Sequence, residues 1–431
     1  MRLCIYLLVC LVQLSLKAQD TTLLFTQLRE RSAEALRHEP DDSPLRLAYT
    51  GRDETLMQEI RDSVYLFDGV IYPYLDSLMR HIGRTNGLDT LPIVLVDYAA
   101  DRNASSLGNG IFVVNLGLLL SLQREEELLF VLSHELAHDA LGHHAAALRE
   151  RGALYEELEP TLRKLHRPSP LRGRRRTQAL NKRLRDQFYG VFRGKRQAEL
   201  QADSLALHFY HQLSLPTAFA ASALDDTREP APDTLAEDAL VRLLETAERP
   251  LEDEWLRPRP RLFGGSFGAG SDDGGSATFW QADSLSTHPA RAERQAALVA
   301  TLTDDARAAA GAGTPVPHRH ELLLRLIDGQ LHREVYGPAL VLSLRLLRED
   351  PVNPTLRELT GRALFGVYRA AKQHDFDEAV PPAGYFRPGA ARAVISMLRR
   401  MTTEEIAALT EAYLIASAPL TYAEARTHFQ P

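Results

Sequence analysis

Length, composition and charge already narrow the class of protein. The chain has 431 residues, 45% of them hydrophobic and 25% charged, which is enough to bury the cores of two or three domains. Its net charge of -7 comes from 50 basic and 57 acidic residues, so no nucleic-acid partner is expected for the chain as a whole. No apolar run of about 18 residues follows the first dozen, which argues against a polytopic membrane protein.

Residues 1–19 have the pattern of a secretory signal peptide. An apolar run over residues 3–12 follows a basic residue, and small and polar residues continue from it to a cleavage region near Ala18. The run is short for a bilayer span, although an uncleaved anchor is the alternative. Both cysteines, Cys4 and Cys10, lie in this leader, so the mature chain would contain no thiol. We therefore predict an exported protein of the periplasm or extracytoplasmic envelope, soluble or peripheral after signal cleavage.

The next segments predict helices and a small sheet. Apolar side chains recur at helical spacing over residues 21–38 and 54–82. Two short strands are expected at Leu91–Val96 and Gly110–Asn115, and the stretch Asn103–Asn109 between them is predicted as a turn. The second strand could offer a sheet edge to an extended peptide, or could simply close the sheet.

A long helix, predicted from about Gln123 to Glu150, carries the sequence His134-Glu-Leu-Ala-His138. The two histidines lie about 40° apart on one helix face, so their imidazoles can converge on a single ion. Glu135 is turned away by one step, which places its carboxylate beside such an ion. The alternative is a buried helix whose histidines hydrogen-bond each other.

Zinc is the metal that best suits two neutral imidazoles and a carboxylate, because a tetrahedral site with three protein ligands leaves one position for water. Glu135 could then act as general base and take a proton from that water during amide hydrolysis. Two glutamates compete as third ligand. Glu199 is preferred because it shares a helix face with Asp203, which could hydrogen-bond a metal-binding histidine. Glu157, 19 residues after His138, is the alternative.

Two other histidines follow the motif closely along the chain. His143 is expected to point about 140° away from His138 around the same helix and is not predicted as a ligand. His144 is expected to be exposed to solvent.

Three later segments differ from the rest of the chain. Residues 161–197 carry 13 Lys or Arg and a single acid, so this basic insertion could face an anionic surface or be a solvated loop. Residues 264–276 are rich in glycine and predict a loop. From Glu321 onward the pattern is helical. There Tyr336-Gly-Pro-Ala339 and Phe376-Asp-Glu-Ala379 resemble tetratricopeptide repeats, with a generic helical bundle as the alternative.

Three groups of residues together resemble the HtpX-like and CaaX prenyl protease family of zinc metallopeptidases. The groups are His134-Glu-Leu-Ala-His138, then Glu199-Leu-Gln-Ala-Asp203, then Thr287-His288-Pro289 followed by Arg294. The likeness implies an α+β, mostly α, fold. A zincin-like metallopeptidase domain with a small sheet and an active-site helix would occupy residues 20–300, and an all-α tetratricopeptide-like domain residues 317–431.

The resemblance also implies roles for these residues. It implies that His134, His138 and Glu199 bind one zinc ion per chain and that Glu135 is the general base, with Arg294 and His288 at the catalytic site and Asp203 in support. The residue matching His288 approaches the metal in similar envelope proteases, where it would either occupy the open position at rest or stabilise an oxyanion. Otherwise His288 is a loop residue before proline.

No membrane-spanning pattern flanks the motifs, which is unlike the integral-membrane members of the family and makes prenylated substrates doubtful. The chain looks more like periplasmic members that degrade misfolded outer-membrane proteins. The leading hypothesis is therefore an exported zinc endopeptidase acting on unfolded or misassembled envelope proteins. An alternative is a chaperone-like adaptor, with latent proteolysis, that joins an envelope complex through its helical repeats. A third hypothesis is an anionic-surface-binding protein built around residues 161–197.

Overall fold

A computed structural model describes most of the chain. It describes residues 22–88, 91–153, 196–224, 235–252, 313–386 and 388–429, together with Trp255, Arg294, Ala296 and Leu298. Several predicted features lie outside the described residues, namely the signal peptide, nearly all of the basic insertion, the glycine-rich loop, Glu157 and His288.

The chain divides into two compact units. The first comprises Met1–Asp97, Arg102–Asp226 and Asp272–Pro317, and the second comprises Tyr98–Asp101, Thr227–Ser271 and His318–Pro431. The simpler boundaries predicted from the sequence stay a prediction. Across the described ranges, no helix combines the length and apolar character needed to cross a membrane.

The first unit contains helices and one small sheet. Its helices are α1 (22–35), α2 (Pro44–Arg61), α3 (Ile71–Thr85), α4 (Leu116–Ser121), α5 (Glu125–Ala140), α6 (143–153), α7 (196–212) and α8 (Thr217–Ala223). Its strands are β1 (Tyr65–Leu66), β2 (Ile93–Asp97), β3 (Ala104–Gly108) and β4 (Ile111–Asn115).

The sheet has the strand order β1-β2-β4-β3. Strand β4 pairs in parallel with β2, in the register Ile93 to Ile111, and antiparallel with β3. The prediction that Ile111–Asn115 offers an edge is therefore wrong, because both of its sides are paired. The edge strands of the described sheet are β1 and β3. Strand β3 was predicted as a turn because serine and glycine are poor strand formers. Its pairing with β4 outweighs that local preference.

Both faces of the sheet are covered. Ile93, Leu95 and Ile111 pack with residues of α1 and α2, including Leu28 and Leu56. The residues that alternate with them along the two central strands, such as Val94 and Phe112, are also fully buried. The sheet is thus a rigid layer against which the following helices can be positioned.

Two helices predicted as continuous are broken. The predicted helix 54–82 stops at Arg61, because Ser63 and Gly69 have positive φ and Tyr65–Leu66 pairs with β2. The predicted helix from Gln123 to Glu150 ends at Ala140, and Gly142 adopts a φ of +65° before α6 begins. Glycine takes this left-handed conformation at no steric cost, so a single glycine redirects the chain just after the His-Glu-x-x-His motif.

Helix α5 is fixed at its start by a buried carboxylate. The fully buried side chain of Glu127 accepts the backbone N–H groups of Gln123 and Arg124, at 3.0 and 3.3 Å. It also accepts a hydrogen bond from the hydroxyl of Ser222 in α8, at 2.7 Å. These bonds satisfy donors that the first turn would otherwise leave unpaired, and they hold the helix in one position.

Every regular element described from His318 onward is helical, in agreement with the pattern of the sequence. These are α9 (Arg319–His332), α10 (Tyr336–Glu349), α11 (Pro354–Gln373), α12 (Phe376–Ala379), α13 (Ala390–Leu398), α14 (Thr403–Ser417) and α15 (Pro419–Ala425), with short 3-10 turns at Ala383–Tyr385 and Arg426–His428. The helix at the second predicted repeat, α12, has only four residues. The tetratricopeptide relation stays a prediction.

Helices α10 and α11 pack so closely that one glycine between them leaves no room for a side chain. A Cβ on Gly366 would overlap the ring of Tyr336, which is buried. We expect Gly366→Ala to lower the free energy of unfolding by about 1–3 kcal/mol through overpacking. Urea denaturation followed by fluorescence of the buried Trp255, in a Trp280→Phe background, measures this loss.

Gly384→Ala is the matched control for this substitution. Gly384 is exposed, and a Cβ there would have no heavy atom within 4 Å. Equal unfolding midpoints for the two variants would show that the packing argument is incorrect.

Candidate metal centre

Three side chains from two helices converge in the first unit. His134 and His138 lie one turn apart on α5, and their Nε2 atoms are 3.0 Å from each other. Glu199 comes from α7, and its two carboxylate oxygens lie 3.5 Å from the Nε2 atoms of His134 and His138. The helical spacing of the histidines places both on one face, as the sequence predicts.

The distances between these atoms suit a zinc ion. Zinc ligands lie about 2.0–2.2 Å from the ion, so tetrahedral geometry puts the ligand atoms about 3.3 Å from one another. The three observed separations of 3.0, 3.5 and 3.5 Å lie on either side of this value. His134 and Glu199 are buried and His138 is partly buried, so little rearrangement would be needed for the three groups to hold a metal ion.

A buried network of charges surrounds His134. Its Nδ1 lies 3.0 Å from Asp203, so this nitrogen donates its hydrogen to the carboxylate. Its Nε2 faces His138 and Glu199. Arg294 donates to both oxygens of Asp203, at 2.7 and 2.6 Å, and lies 3.2 Å from Glu199. The single guanidinium thus balances two carboxylates that would be costly to bury alone.

This network sets the protonation of the two histidines in opposite ways. Burial favours the neutral ring of His134, but hydrogen bonds to Asp203 and Glu199 outweigh burial and raise its pKa to about 9. Burial, together with the charge of His134, lowers the pKa of His138 to about 3. Before a metal binds, Nε2 of His134 therefore carries a hydrogen, which it donates to Nε2 of the neutral His138 ring.

Glu135 lies beside these groups and is held by the edge strand. Its carboxylate accepts the backbone N–H of Ser106 in β3 at 2.8 Å. Burial raises the pKa of Glu135 to about 7, against the lowering effects of His134 and of the Ser106 hydrogen bond. A carboxylate with a pKa near neutrality can both take up and release a proton at physiological pH.

The three groups and Glu135 line one cleft. Strand β3 and the residues before it form one wall, through Asn103, Ser105 and Ser106. Apolar side chains of α4, α5 and the end of α8 form another part of the lining, among them Leu118 and Phe130. The cleft can therefore present an extended chain to Glu135.

Sequence reasoning missed several contacts of the site. The donors Ser106 N–H and Gly110 N–H, the latter bonded to Asp139 at 2.9 Å, are backbone groups that give no side-chain signal. The predicted direction of His143 is wrong, because α5 ends before it, and its Nδ1 lies 3.0 Å from Nδ1 of His138. His144, predicted as exposed, is partly buried and stacks on Tyr49.

Replacing Glu199 tests the third ligand. We expect Glu199→Gln to lose most bound zinc, because an amide lacks the negative charge that offsets the ion. Metal content of purified protein, by atomic emission, is the measurement. Glu157→Gln should keep wild-type zinc, and a zinc-free Glu157→Gln beside a zinc-loaded Glu199→Gln would reverse the assignment.

Zinc binding should release a proton. An ion that bonds to Nε2 of His134 displaces the proton held there up to about pH 9, whereas His138 is already neutral. The apparent affinity should therefore rise about tenfold per pH unit on approach to pH 9 and level off above it. Calorimetry at pH 8, in buffers of different ionisation enthalpy, should show about one proton released per ion.

Glu135→Gln provides the control for this measurement. Glu135 has a pKa of about 7, and its charge is one of the causes that raise the pKa of His134, so its removal should reduce the proton release at pH 8 without abolishing it. Zinc binding without proton release in both proteins would contradict the protonated state of His134.

Comparison with known proteins agrees with this geometry. The model of peptidase family M48 matches residues 73–302, which is 230 of the 431 residues and spans His134, His138, Glu199 and Arg294. Comparison with curated proteins finds no match. The members of the matching family are metal-dependent peptidases, typically with zinc. The chain therefore belongs to peptidase family M48 and is a metallopeptidase.

Proposed function

We propose that this protein is a zinc endopeptidase in which His134, His138 and Glu199 bind the ion and Glu135 is the general base. The observation that carries the proposal is the convergence of three ligand atoms, 3.0–3.5 Å apart, beside a carboxylate whose pKa is about 7. A purely structural cluster of histidines would not need a buried acid next to an accessible cleft.

The chain's own residues supply the proton transfers. Bound zinc contributes Lewis acidity, which makes water nucleophilic near neutral pH and polarises a peptide carbonyl. Glu135 takes a proton from the attacking water and passes it to the nitrogen of the leaving amine. The hydrogen bond from Ser106 N–H keeps the carboxylate turned towards the cleft during both transfers.

The structure supports a role for Arg294 but does not describe His288. Arg294 is engaged with Asp203 and Glu199, so we assign it to positioning these carboxylates rather than to contact with substrate. His288 lies outside the described residues. Its role, either at the open metal position or at the oxyanion, stays a prediction.

The edge strand favours unfolded chains as substrates. One side of β3 pairs with β4, and β3 is the last strand of the described sheet on its other side. A peptide in extended conformation can add to such an edge through main-chain hydrogen bonds. It would then pass Ser106 and Glu135, and an unfolded chain can adopt this extended conformation along its length.

The location and partners of the enzyme complete the proposal. The signal-like residues 1–19 support export to the periplasm or another envelope compartment. Its substrates would then be unfolded or misassembled envelope proteins. The helical second unit could join an envelope complex, and residues 161–197 could contact an anionic surface. An adaptor with latent proteolysis remains the alternative function.

Replacement of the general base distinguishes the endopeptidase from the adaptor. We expect Glu135→Gln to lower casein cleavage about 10²- to 10⁴-fold, because the amide cannot accept the proton, while zinc content is unchanged. Glu150→Gln, an exposed substitution on α6, serves as the control and should retain full activity. A chelator should abolish wild-type cleavage, and added zinc should restore it. Zinc-loaded wild type that cleaves no unfolded protein would instead support the adaptor.

A further inference from the structure

A second line of hydrogen bonds leads from His138 to His143 and Gln201. Nδ1 of His138 lies 3.0 Å from Nδ1 of His143, and Nε2 of His143 lies 3.2 Å from the side-chain oxygen of Gln201. The rings of His138 and His143 meet edge to face, with centroids 5.0 Å apart. None of these contacts is used by the proton transfers proposed for Glu135.

The chemistry of Gln201 fixes the direction of these bonds. Its amide oxygen can only accept, so Nε2 of His143 must carry the hydrogen. In a neutral His143 ring, Nδ1 is then an acceptor, and it takes the hydrogen of Nδ1 of His138. His138 is left with its lone pair on Nε2, the atom that lies 3.5 Å from Glu199.

The two histidines of the motif thus both keep a hydrogen on Nδ1, by different means. For His134 the acceptor at Nδ1 is the buried carboxylate of Asp203. For His138 the corresponding acceptor is the ring of His143, which is itself oriented by an amide. Hydrogen bonding at the distal nitrogen is the usual way in which a protein fixes the orientation and tautomer of a metal-binding histidine.

We propose that His143 and Gln201 are positioning residues of the metal centre, which hold His138 with its hydrogen on Nδ1 and its Nε2 free to bind zinc. This inference rests on the proposed function and deepens it. Gln201 lies two residues after Glu199 on α7, so the helix that brings the third ligand also brings the acceptor that orients the second.

The break after α5 makes this arrangement possible. Gly142, with a φ of +65°, lets the chain turn back before α6, which brings the His143 ring against His138. On a continuous helix, five residues would place the two side chains about 140° apart. The conformation at Gly142 is therefore part of the site.

The test reverses the direction of the bonds at an exposed position. Gln201→Glu keeps an acceptor, whereas Gln201→Lys offers only donors and would force the hydrogen of His143 onto Nδ1. Zinc affinity, measured by competition with a chromophoric chelator, should fall about tenfold in Gln201→Lys and in His143→Phe. It should be unchanged or higher in Gln201→Glu. In wild type with ¹⁵N-labelled histidine, NMR of the zinc-loaded protein should show His138 protonated at Nδ1.

Ser204→Glu and Ser204→Lys are the controls, because they place the same charges on an exposed residue of the same helix. If each Gln201 variant binds zinc as its Ser204 counterpart does, and His143→Phe binds as wild type, the inference is overturned. Gln201 is exposed, so its variants report on zinc affinity without disturbing the core. A wild-type protein that binds no zinc would overturn the proposed function and this inference together.

Discussion

The guanidinium of Arg294 lies against two buried carboxylates, and the rest of the site depends on this contact. Glu199 and Asp203 are one turn apart on α7, so their like charges would repel each other in a medium of low dielectric constant. Removing the cation from such a group costs about 3–5 kcal/mol, because the remaining charges stay buried. The hydrogen bond from Arg294 helps to hold the pKa of Asp203 below its usual value despite burial, and Glu199 and Asp203 face different nitrogens of the same histidine.

A second constraint fixes α5 relative to the sheet. Glu135 and Asp139 are separated by one turn, and each accepts a backbone N–H from the β3–β4 hairpin, at Ser106 and Gly110 respectively. The two histidines, each one residue before these acids, are therefore held at a fixed distance from the edge strand. The two hydrogen bonds of Glu135 and Asp139 thus position both the histidines and the strand that forms one wall of the cleft.

The sequence was sufficient to predict that His134 and His138 lie together, because a helix turns a four-residue spacing directly into proximity. It also predicted that Glu199, on another helix, joins them, and the structure brings the three side chains together. It was also sufficient for the two central strands, whose β-branched residues match their burial. It failed where long-range pairing overrides local preference, as in β3, and where one glycine conformation redirects the chain, as at Gly142. Backbone donors such as Ser106 N–H leave no trace in residue identity, so no spacing argument could have placed them.

The position of Arg294 along the chain has a consequence for biosynthesis. Arg294 follows His134 by 160 residues, so α5 and α7 leave the ribosome well before the cation that neutralises their acids. During that interval, burial of the carboxylates of Glu199 and Asp203 is unfavourable because the cation is missing. Helices α5 and α7 are therefore not expected to pack together yet. The metal centre can thus be completed only after the chain up to Arg294 has been made.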